Sequence, residues 1–139
     1  MEKILGLDYG SKTVGVSMSD LMGMIATSHS IIRREKENQL RKTLAQITSI
    51  CEENKVSKIV LGMPLNIDGT EGPRCEKTLE FKAMLERRTN LEVILWDERL
   101  TTVEAEEIME SQGIPRSQWK EKVDMIAASV ILQSYLNER

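Results

Sequence analysis

The chain has 139 residues, of which 40% are hydrophobic, 29% charged and 4% aromatic. This length is enough for one domain with a substantial core and too short for two, so we expect a single domain over residues 1–139. The formal net charge of −3 excludes a protein that binds nucleic acid mainly through bulk positive charge. Local basic pairs, such as Arg33-Arg34 and Arg41-Lys42, are interpreted as solvated faces rather than as a phosphate-binding track.

The N-terminus and the cysteines indicate the compartment. Residues 1–3 lead directly into a strand pattern without the form of a signal peptide, and no apolar run approaches membrane length. Cys51 and Cys75 form no C-x-x-C arrangement, so we expect both to be reduced, packed thiols. These features predict a cytoplasmic protein with no membrane segment.

The first predicted element is a β-hairpin. Apolar runs at residues 4–7 and 14–18 flank a turn in which Gly10 is expected to supply a positive φ. Asp8 stands at the end of the first strand, where a buried carboxylate requires a cationic partner. Because Gly6 and Gly10 carry no side chain, an anionic ligand could come close to Asp8. The alternative is an ordinary hairpin in which Asp8 only solvates the turn.

The remaining elements follow in chain order. Leu40, Leu44, Ile47 and Cys51 recur at helical spacing, and residues 101–104 have the form of a capping box. Strands are predicted at residues 22–32, 58–62 and 91–96, and helices at 39–54, 73–89, 101–112 and 118–136. The loop at residues 63–74 is long enough to suggest a functional role.

Two βα crossovers should make the fourth and fifth strands parallel to the first. The sequence therefore predicts an α/β fold with a mixed five-stranded sheet in the order 3-2-1-4-5 and helices on both faces.

Three acidic positions are candidates for a common site. Asp8 and the pair Asp97-Glu98 end parallel strands and so share one edge of the sheet, where ligands of such folds collect. Asp124 can reach that edge if the last helix crosses the first strand. Clustered carboxylates repel one another unless a divalent cation lies between them, and an all-oxygen ligand set favours Mg²⁺ or Mn²⁺. Alternatively, Glu98 and Asp124 are surface acids favoured by helix dipoles.

Four motifs in this order closely resemble the YqgF-type family of ribonuclease-H-like proteins. That family is described as pre-16S ribosomal RNA nucleases and, earlier, as Holliday-junction resolvases. The resemblance runs nearly from end to end and is carried by residues 8–20, 62–70, 97–105 and 123–128.

The resemblance implies a ribonuclease H-like fold and metal-dependent hydrolysis that trims the 5′ end of the small-subunit rRNA precursor. By position, Asp8, Glu98 and Asp124 resemble the catalytic acids and ligands of two Mg²⁺ or Mn²⁺ ions, with Asp97 as a helper. One departure is Thr13, where many relatives carry a basic residue. Another is the absence of an acid after the fourth strand, a role that Glu98 must then take.

Four further residues are candidates for substrate binding. Lys12 and Arg99 could neutralise phosphate charge, and Asn66 lies in the loop whose backbone amides could position the strand. Tyr9 could stack on a base, although packing in the core is the alternative.

Other functions remain open at this stage. A branched-DNA resolvase and a non-catalytic RNA-binding factor both fit the acidic edge, and the ribosomal precursor particle is a further candidate partner. The motif from Asp8 to Gly15 also resembles the phosphate-binding hairpin of sugar kinases, but those enzymes need a second comparable domain. The sequence does not decide between a monomer and a homodimer.

Overall fold

The computed structural model describes residues 2–66, 68–99 and 101–139. Ile67 of the predicted loop and Leu100 of the third motif lie outside the described residues. The strands are β1 (Lys3–Tyr9), β2 (Thr13–Ser19), β3 (Ala26–Arg33), β4 (Val56–Met63) and β5 (Glu92–Asp97). The helices are α1 (Arg41–Asn54), α2 (Pro73–Thr89), α3 (Thr101–Ser111) and α4 (Trp119–Glu138), with a 3-10 turn at Arg116–Gln118 before α4. None of the helices in the described part of the chain is long and apolar enough to cross a bilayer.

The five strands form one sheet in the order β3-β2-β1-β4-β5. β1 pairs antiparallel with β2 and β2 with β3, whereas β4 is parallel to both β1 and β5. The predicted strand order and directions are therefore confirmed. The carboxyl ends of β1, β4 and β5 lie at one edge of the sheet, as the site prediction requires.

Alternation along β1 and β2 assigns each side chain to one face of the sheet. Leu5, Leu7 and Tyr9 belong to the core formed with buried residues of α1 and α2, including Ile47 and Phe81. The intervening positions face α4, whose Ile131, Leu132, Tyr135 and Leu136 form a second core with Ile4 and Val60. Helices thus cover both faces, as predicted.

Small residues let α4 approach the sheet closely. A side chain at Gly6 would meet Leu132 Cβ at 2.7 Å, and one at Gly15 would collide with the backbone carbonyl of Asp124. Ser17 Oγ donates a 2.7 Å hydrogen bond to the carbonyl of Ala128. The absence of a side chain at Gly6 therefore serves the helix crossing, and not the approach of a ligand as the sequence suggested.

Two local expectations about the hairpin region were wrong. β3 begins at Ala26 rather than at residue 22, because the Asp20 carboxylate accepts hydrogen bonds from the backbone N–H groups of Met24 (2.8 Å) and Ile25 (3.2 Å) and holds this segment in a turn. Gly10 has no positive φ, a conformation that Gly23 adopts instead. The three residues between β1 and β2 close with a 2.8 Å bond from Gly10 N to Thr13 O, so the hairpin does not need a left-handed glycine.

The spacing of apolar residues in the sequence predicts a buried stripe of α4 formed by Val123, Ile126, Ala127, Val130 and Ile131, and only Ala127 and Ile131 of these are buried. Val123, Ile126 and Val130 are only half-buried. The buried residues are Ala127, Ala128, Ile131, Leu132, Tyr135 and Leu136. α4 packs against both the sheet and α3, so apolar residues occur on two of its sides and periodicity alone did not identify the face on the sheet.

Candidate active site

Asp8 lies near the carboxyl end of β1 on the face that α4 covers. It follows Leu7, which pairs with Leu61 of β4, and it is opposite Gly15 of β2. Its neighbours on the same face, Ile4 and Gly6, are fully covered by α4 residues. The alternation of β1 therefore places the Asp8 carboxylate at the point where the covered face opens.

Glu98 reaches the same point from the end of β5, across the intervening strand β4. Its backbone N–H donates a 3.2 Å hydrogen bond to the carbonyl of Met63, which fixes the chain after β5 against the end of β4. A Cβ atom at Gly62 would lie 2.6 Å from Glu98 Oε2 and 2.7 Å from Ile131 Cδ1. The Glu98 carboxylate therefore occupies space that a side chain at the end of β4 would otherwise take.

The Asp8 and Glu98 carboxyl groups lie close enough for each to shift the pKa of the other. Burial, and then the charge and hydrogen bond of Asp8, raises the pKa of Glu98 to about 9. Burial also raises the pKa of Asp8, to about 6, with a smaller contribution from the charge of Asp124, whereas the hydrogen bond from Glu98 opposes this rise. Two carboxyl groups in contact cannot both ionise at low cost, so the pair holds one proton at neutral pH.

Asp124 lies beside this pair but is not joined to it. Its carboxylate Oδ2 accepts a 2.7 Å hydrogen bond from Thr13 Oγ1. Within residues 2–66, 68–99 and 101–139, no group of three or more acidic, histidine or cysteine side chains converges closely enough to hold a metal ion. The structure thus brings Asp8 and Glu98 together, while Asp124 acts on Asp8 through its charge and is hydrogen-bonded to Thr13.

Thr13 was identified in the sequence only as a departure from relatives. Thr13, Gly15 and Ser17 alternate along β2 on the face that α4 covers. The alternation in the sequence therefore contained a signal for a Thr13 contact with α4, although not for its partner.

Arg74 is a second residue that sequence reasoning missed. Its positive charge lowers the pKa of both Asp8 and Glu98. It is the second residue of α2, directly after the long loop, and it forms an ion pair with Glu37. The only feature of the sequence that pointed to Arg74 was its position, at the start of a helix and next to a loop with a proposed functional role.

The Tyr9 ring is engaged inside the protein. It is 7% exposed, and it stacks on Phe81 with ring centroids 4.0 Å apart and an angle of 4°. The guanidinium carbons of Arg34 and Arg74 lie 5.0 and 5.5 Å from the Tyr9 ring centroid. These contacts agree with the packing alternative, because they leave the ring little surface on which a base could stack.

The other predicted substrate contacts occupy the rim of the site. Arg99 forms an ion pair with Asp97, with Nε at 2.8 Å from Oδ2, so Asp97 is directed towards Arg99. Asn66 Nδ2 donates a 3.0 Å hydrogen bond to Thr70 Oγ1 and stabilises the loop. Lys12 is exposed in the turn between β1 and β2.

The donor set suits a hard divalent cation. Asp8 and Glu98 offer only carboxylate oxygens, and the pKa values of both are raised by burial, so a nearby positive charge would favour ionisation of the pair. Mg²⁺ and Mn²⁺ prefer such ligands. The hydrogen bond from Thr13 uses one of the two Asp124 oxygens, so a carboxylate held in this way can still act as a ligand through the other.

Comparison with known sequences gives matches over nearly the full chain. The sequence model of the RuvX family, described as Holliday junction resolvase, matches residues 2–138. A protein of Agathobacter rectalis named "Putative pre-16S rRNA nuclease" is 58% identical over 135 residues, which covers 97% of this chain and 94% of that protein. A protein of Lachnospira eligens with the same name is 48% identical over 137 residues, covering 99% and 98%.

Solved structures of resolvases share the fold. The fowlpox virus Holliday junction resolvase is 16% identical, with a TM-score of 0.59 and coverage of 99% of each chain. RuvC of Thermus thermophilus is 13% identical, with a TM-score of 0.58, and the match covers 96% of this chain and 93% of that one. At these identities the likeness establishes the fold alone, and the predicted ribonuclease H-like fold is confirmed.

Proposed function

Because the chain belongs to the RuvX family of Holliday junction resolvases, we propose that it is a divalent-cation-dependent nuclease that hydrolyses phosphodiester bonds. The observation that carries this proposal is the pair of interacting carboxyl groups of Asp8 and Glu98, which stand at the carboxyl ends of β1 and β5, two parallel strands on either side of β4. The names of relatives that are 58% and 48% identical favour pre-16S rRNA as the substrate, and the resemblance in sequence favours cleavage at its 5′ end. We place the reaction in the cytoplasm, on the precursor ribosomal particle.

Three carboxylates would hold the cation: Asp8, Glu98 and Asp124. When bound, Mg²⁺ or Mn²⁺ lowers the pKa of the attacking water and stabilises charge on the leaving 3′ oxygen. The contribution of the protein is to supply these charges on rigid elements. β1 carries Asp8, the bond to Met63 fixes Glu98, and Thr13 orients Asp124.

Cationic and polar side chains around the carboxylates would position the phosphate. Arg74 already acts electrostatically on Asp8 and Glu98, so its charge would extend to a phosphate bound there. Lys12 is exposed in the turn that follows β1 and would contact the phosphate backbone. Asn66 in the 63–74 loop and Arg99, which lies after β5 and near Gly69 of that loop, would border the strand. The Tyr9 ring would pack against the guanidinium groups of Arg34 and Arg74.

A second candidate function is resolution of branched DNA. The family description favours it, and the same carboxylates would perform the same hydrolysis on DNA. A third outcome is a factor that binds RNA without cleaving it.

Cleavage assays separate these functions. Wild-type protein is incubated with Mn²⁺ and a 5′-extended 16S rRNA precursor, single-stranded DNA or a four-way junction. We expect cleavage of the precursor, with Asp8→Asn, Glu98→Gln and Asp124→Asn each at least about a hundredfold slower. Preferential cleavage of the junction would favour the resolvase. Binding without cleavage of any substrate would overturn the nuclease proposal.

The matched control is Glu53→Gln, which removes an exposed carboxylate of α1. It should cleave at the wild-type rate. Near-normal turnover by the Asp8, Glu98 or Asp124 variant would remove that residue from the mechanism.

A further inference from the structure

A basic cavity of about 640 Å³ lies where β3 ends and α1 begins. Its lining includes four cationic side chains, Arg33, Arg34, Arg41 and Lys42, and a single carboxylate, that of Glu35. The other lining residues are Asn38, Gln39, Leu40, Thr43 and Gln46. This local excess of positive charge stands in a chain with a net charge of −3, so bulk composition does not account for it.

The cations of this cavity are available to an external anion. Arg33, Arg41 and Lys42 are exposed, and none of the three forms an ion pair within the described ranges. Glu37, the nearest paired carboxylate along the chain, is engaged by Arg74 and Lys77. Exposed like charges held close together repel one another, and an anion between them removes that cost.

The start of α1 adds to the positive potential of the cavity. Its N-cap is Leu40, which provides no side-chain hydrogen bond, and its first turn contains no acidic residue. The first N–H groups of a helix carry partial positive charge and require acceptors. The side chains of Arg41 and Lys42 and the N-terminal end of their helix therefore all contribute positive charge to the cavity.

Hydrogen bonds connect this cavity to the edge of the sheet that carries the carboxylates. Arg33 pairs with Thr13 in the β2–β3 ladder. The Arg34 backbone N–H donates a 2.9 Å bond to the carbonyl of Lys12, and its Nη2 donates a 2.6 Å bond to the carbonyl of Gly10. The cavity therefore borders the turn between β1 and β2, which follows Asp8 at the end of β1.

The sequence pattern alone indicated that Arg33-Arg34 and Arg41-Lys42 are solvated faces, but the fold brings them into one cavity. We propose that this basic cavity binds backbone phosphates of the nucleic-acid strand whose scissile phosphate lies at Asp8 and Glu98. The strand passes over Lys12 in the hairpin turn and enters the cavity between Arg33 and Arg41. Guanidinium groups suit phosphate because their donors match two of its oxygens. The lining contains no aromatic side chain, so the cavity holds the backbone and does not read bases. The inference rests on the proposed nucleic-acid substrate, but it does not require catalysis.

The test is binding of a fluorescent single-stranded RNA, measured by anisotropy in EDTA at several salt concentrations. We expect Arg41→Ala with Lys42→Ala to lower the affinity at least tenfold at low salt. We also expect the slope of log affinity against log salt to become shallower by about 1.4, the value for two phosphate contacts on a single strand. Binding is measured in parallel with single-stranded DNA of the same sequence and with a four-way junction, which shows which nucleic acid the cavity prefers.

The matched control removes two arginines from the last turn of α2, Arg87→Ala with Arg88→Ala. This helix end leads into the amino end of β5, so the two arginines lie at the sheet edge away from the carboxylates. The change in formal charge is the same in both double variants. Equal affinities and equal salt slopes for the two double variants would overturn the proposal, as would the absence of nucleic-acid binding by wild type.

Hydrolysis of a small ester separates this inference from the proposed function. Bis-p-nitrophenyl phosphate is too short to span the hairpin turn, so with Mn²⁺ the Arg41 and Lys42 variant should hydrolyse it at the wild-type rate. With a long RNA the same variant should show a raised KM and an unchanged kcat. If wild type hydrolyses neither substrate, the nuclease proposal fails. The anisotropy measurement still shows whether the cavity binds nucleic acid. If the variant no longer hydrolyses the small ester, Arg41 and Lys42 act on the active site itself, and the proposal of a separate phosphate-binding cavity is wrong.

Discussion

The Thr13 hydroxyl donates a 2.7 Å hydrogen bond to the carboxylate of Asp124, joining residues 111 positions apart. The bond links the start of β2 to the first turns of α4. A hydrogen bond to a charged group contributes about 1.5–3 kcal/mol, enough to hold one carboxylate rotamer against the others. Asp124 therefore owes its orientation to a side chain that is not itself acidic.

We predict that Thr13→Val lowers nuclease activity at limiting Mn²⁺ about tenfold, because valine has the same shape and cannot donate the bond. Thr13→Ser should keep most of the activity, since it keeps the hydroxyl. Steady-state rates across a Mn²⁺ titration measure both effects. The control is Thr27→Val. The Thr27 hydroxyl in β3 donates a longer, 3.4 Å hydrogen bond to the carbonyl of Met18. Wild-type cation dependence in Thr13→Val would exclude a positioning role.

The second prediction concerns Gly62. Gly62→Ala should lower activity at least tenfold with little change in the melting temperature, because the new methyl group would meet the ends of two side chains, Glu98 and Ile131, and displace the Glu98 carboxylate. Activity and thermal denaturation of the same preparation provide the measurement.

A double-mutant cycle with Glu98→Ala is the control for Gly62→Ala. Because both changes act on one carboxylate, Gly62→Ala should have almost no further effect in the Glu98→Ala background. Independent, multiplicative losses of activity would contradict the assignment of the Gly62 effect to Glu98.

The third prediction is a pH dependence of stability. The pKa values of Glu98 (about 9) and Asp8 (about 6) in the folded protein lie above those of about 4 in an unfolded chain. The folded state therefore binds more protons, and the free energy of unfolding decreases as the pH rises from about 4 to about 9. Glu98→Gln should raise the free energy of unfolding by about 1–2 kcal/mol at pH 8 and leave it unchanged at pH 4.

Urea denaturation at a series of pH values tests this dependence, with Glu53→Gln as the control. The control should follow the wild-type curve. A Glu98→Gln protein that is less stable than wild type at pH 8 would show that the carboxylate stabilises the fold, contrary to the prediction.

The fourth prediction concerns cation binding without turnover. Binding of Mn²⁺ must displace the proton that Asp8 and Glu98 share, so affinity should increase with pH. The rise in melting temperature caused by 1 mM MnCl₂ should be larger at pH 8 than at pH 6 and should be lost in Asp8→Asn. Differential scanning fluorimetry measures this rise in melting temperature. Equal shifts in Asp8→Asn and wild type would place the cation elsewhere.

Most of the fold could be predicted from the sequence because its signals are local and regular. The helical spacing from Leu44 to Cys51, the continuous apolar run that became β4 and the Pro73 helix start each correspond to an observed element. The start of β3 could not be predicted, because the Asp20 side chain holds exposed apolar residues in a turn. Strand propensity alone cannot detect that competition.

The position of the carboxylates Asp8 and Glu98 could be predicted from the sequence, whereas the residues that contact them or Asp124 could not. Asp8 and Glu98 meet because parallel strands end at one edge, a rule of topology that the sequence already implied. Arg74 and Thr13 were not predicted as partners, because their roles depend on where α2 begins relative to Tyr9 and on which face of α4 meets β2.

By itself the sequence determined which elements form, their order in the sheet and the edge at which the acidic side chains collect, since periodicity and crossover handedness are properties of short stretches. Only the tertiary structure decided that the Glu98 carboxylate fills the space above Gly62 and shares a proton with Asp8. It also decided that the Thr13 hydroxyl is the hydrogen-bond partner of the Asp124 carboxylate. The physical reason is that burial, distance and hydrogen bonding between side chains remote in the chain are fixed only when the helices pack on the sheet.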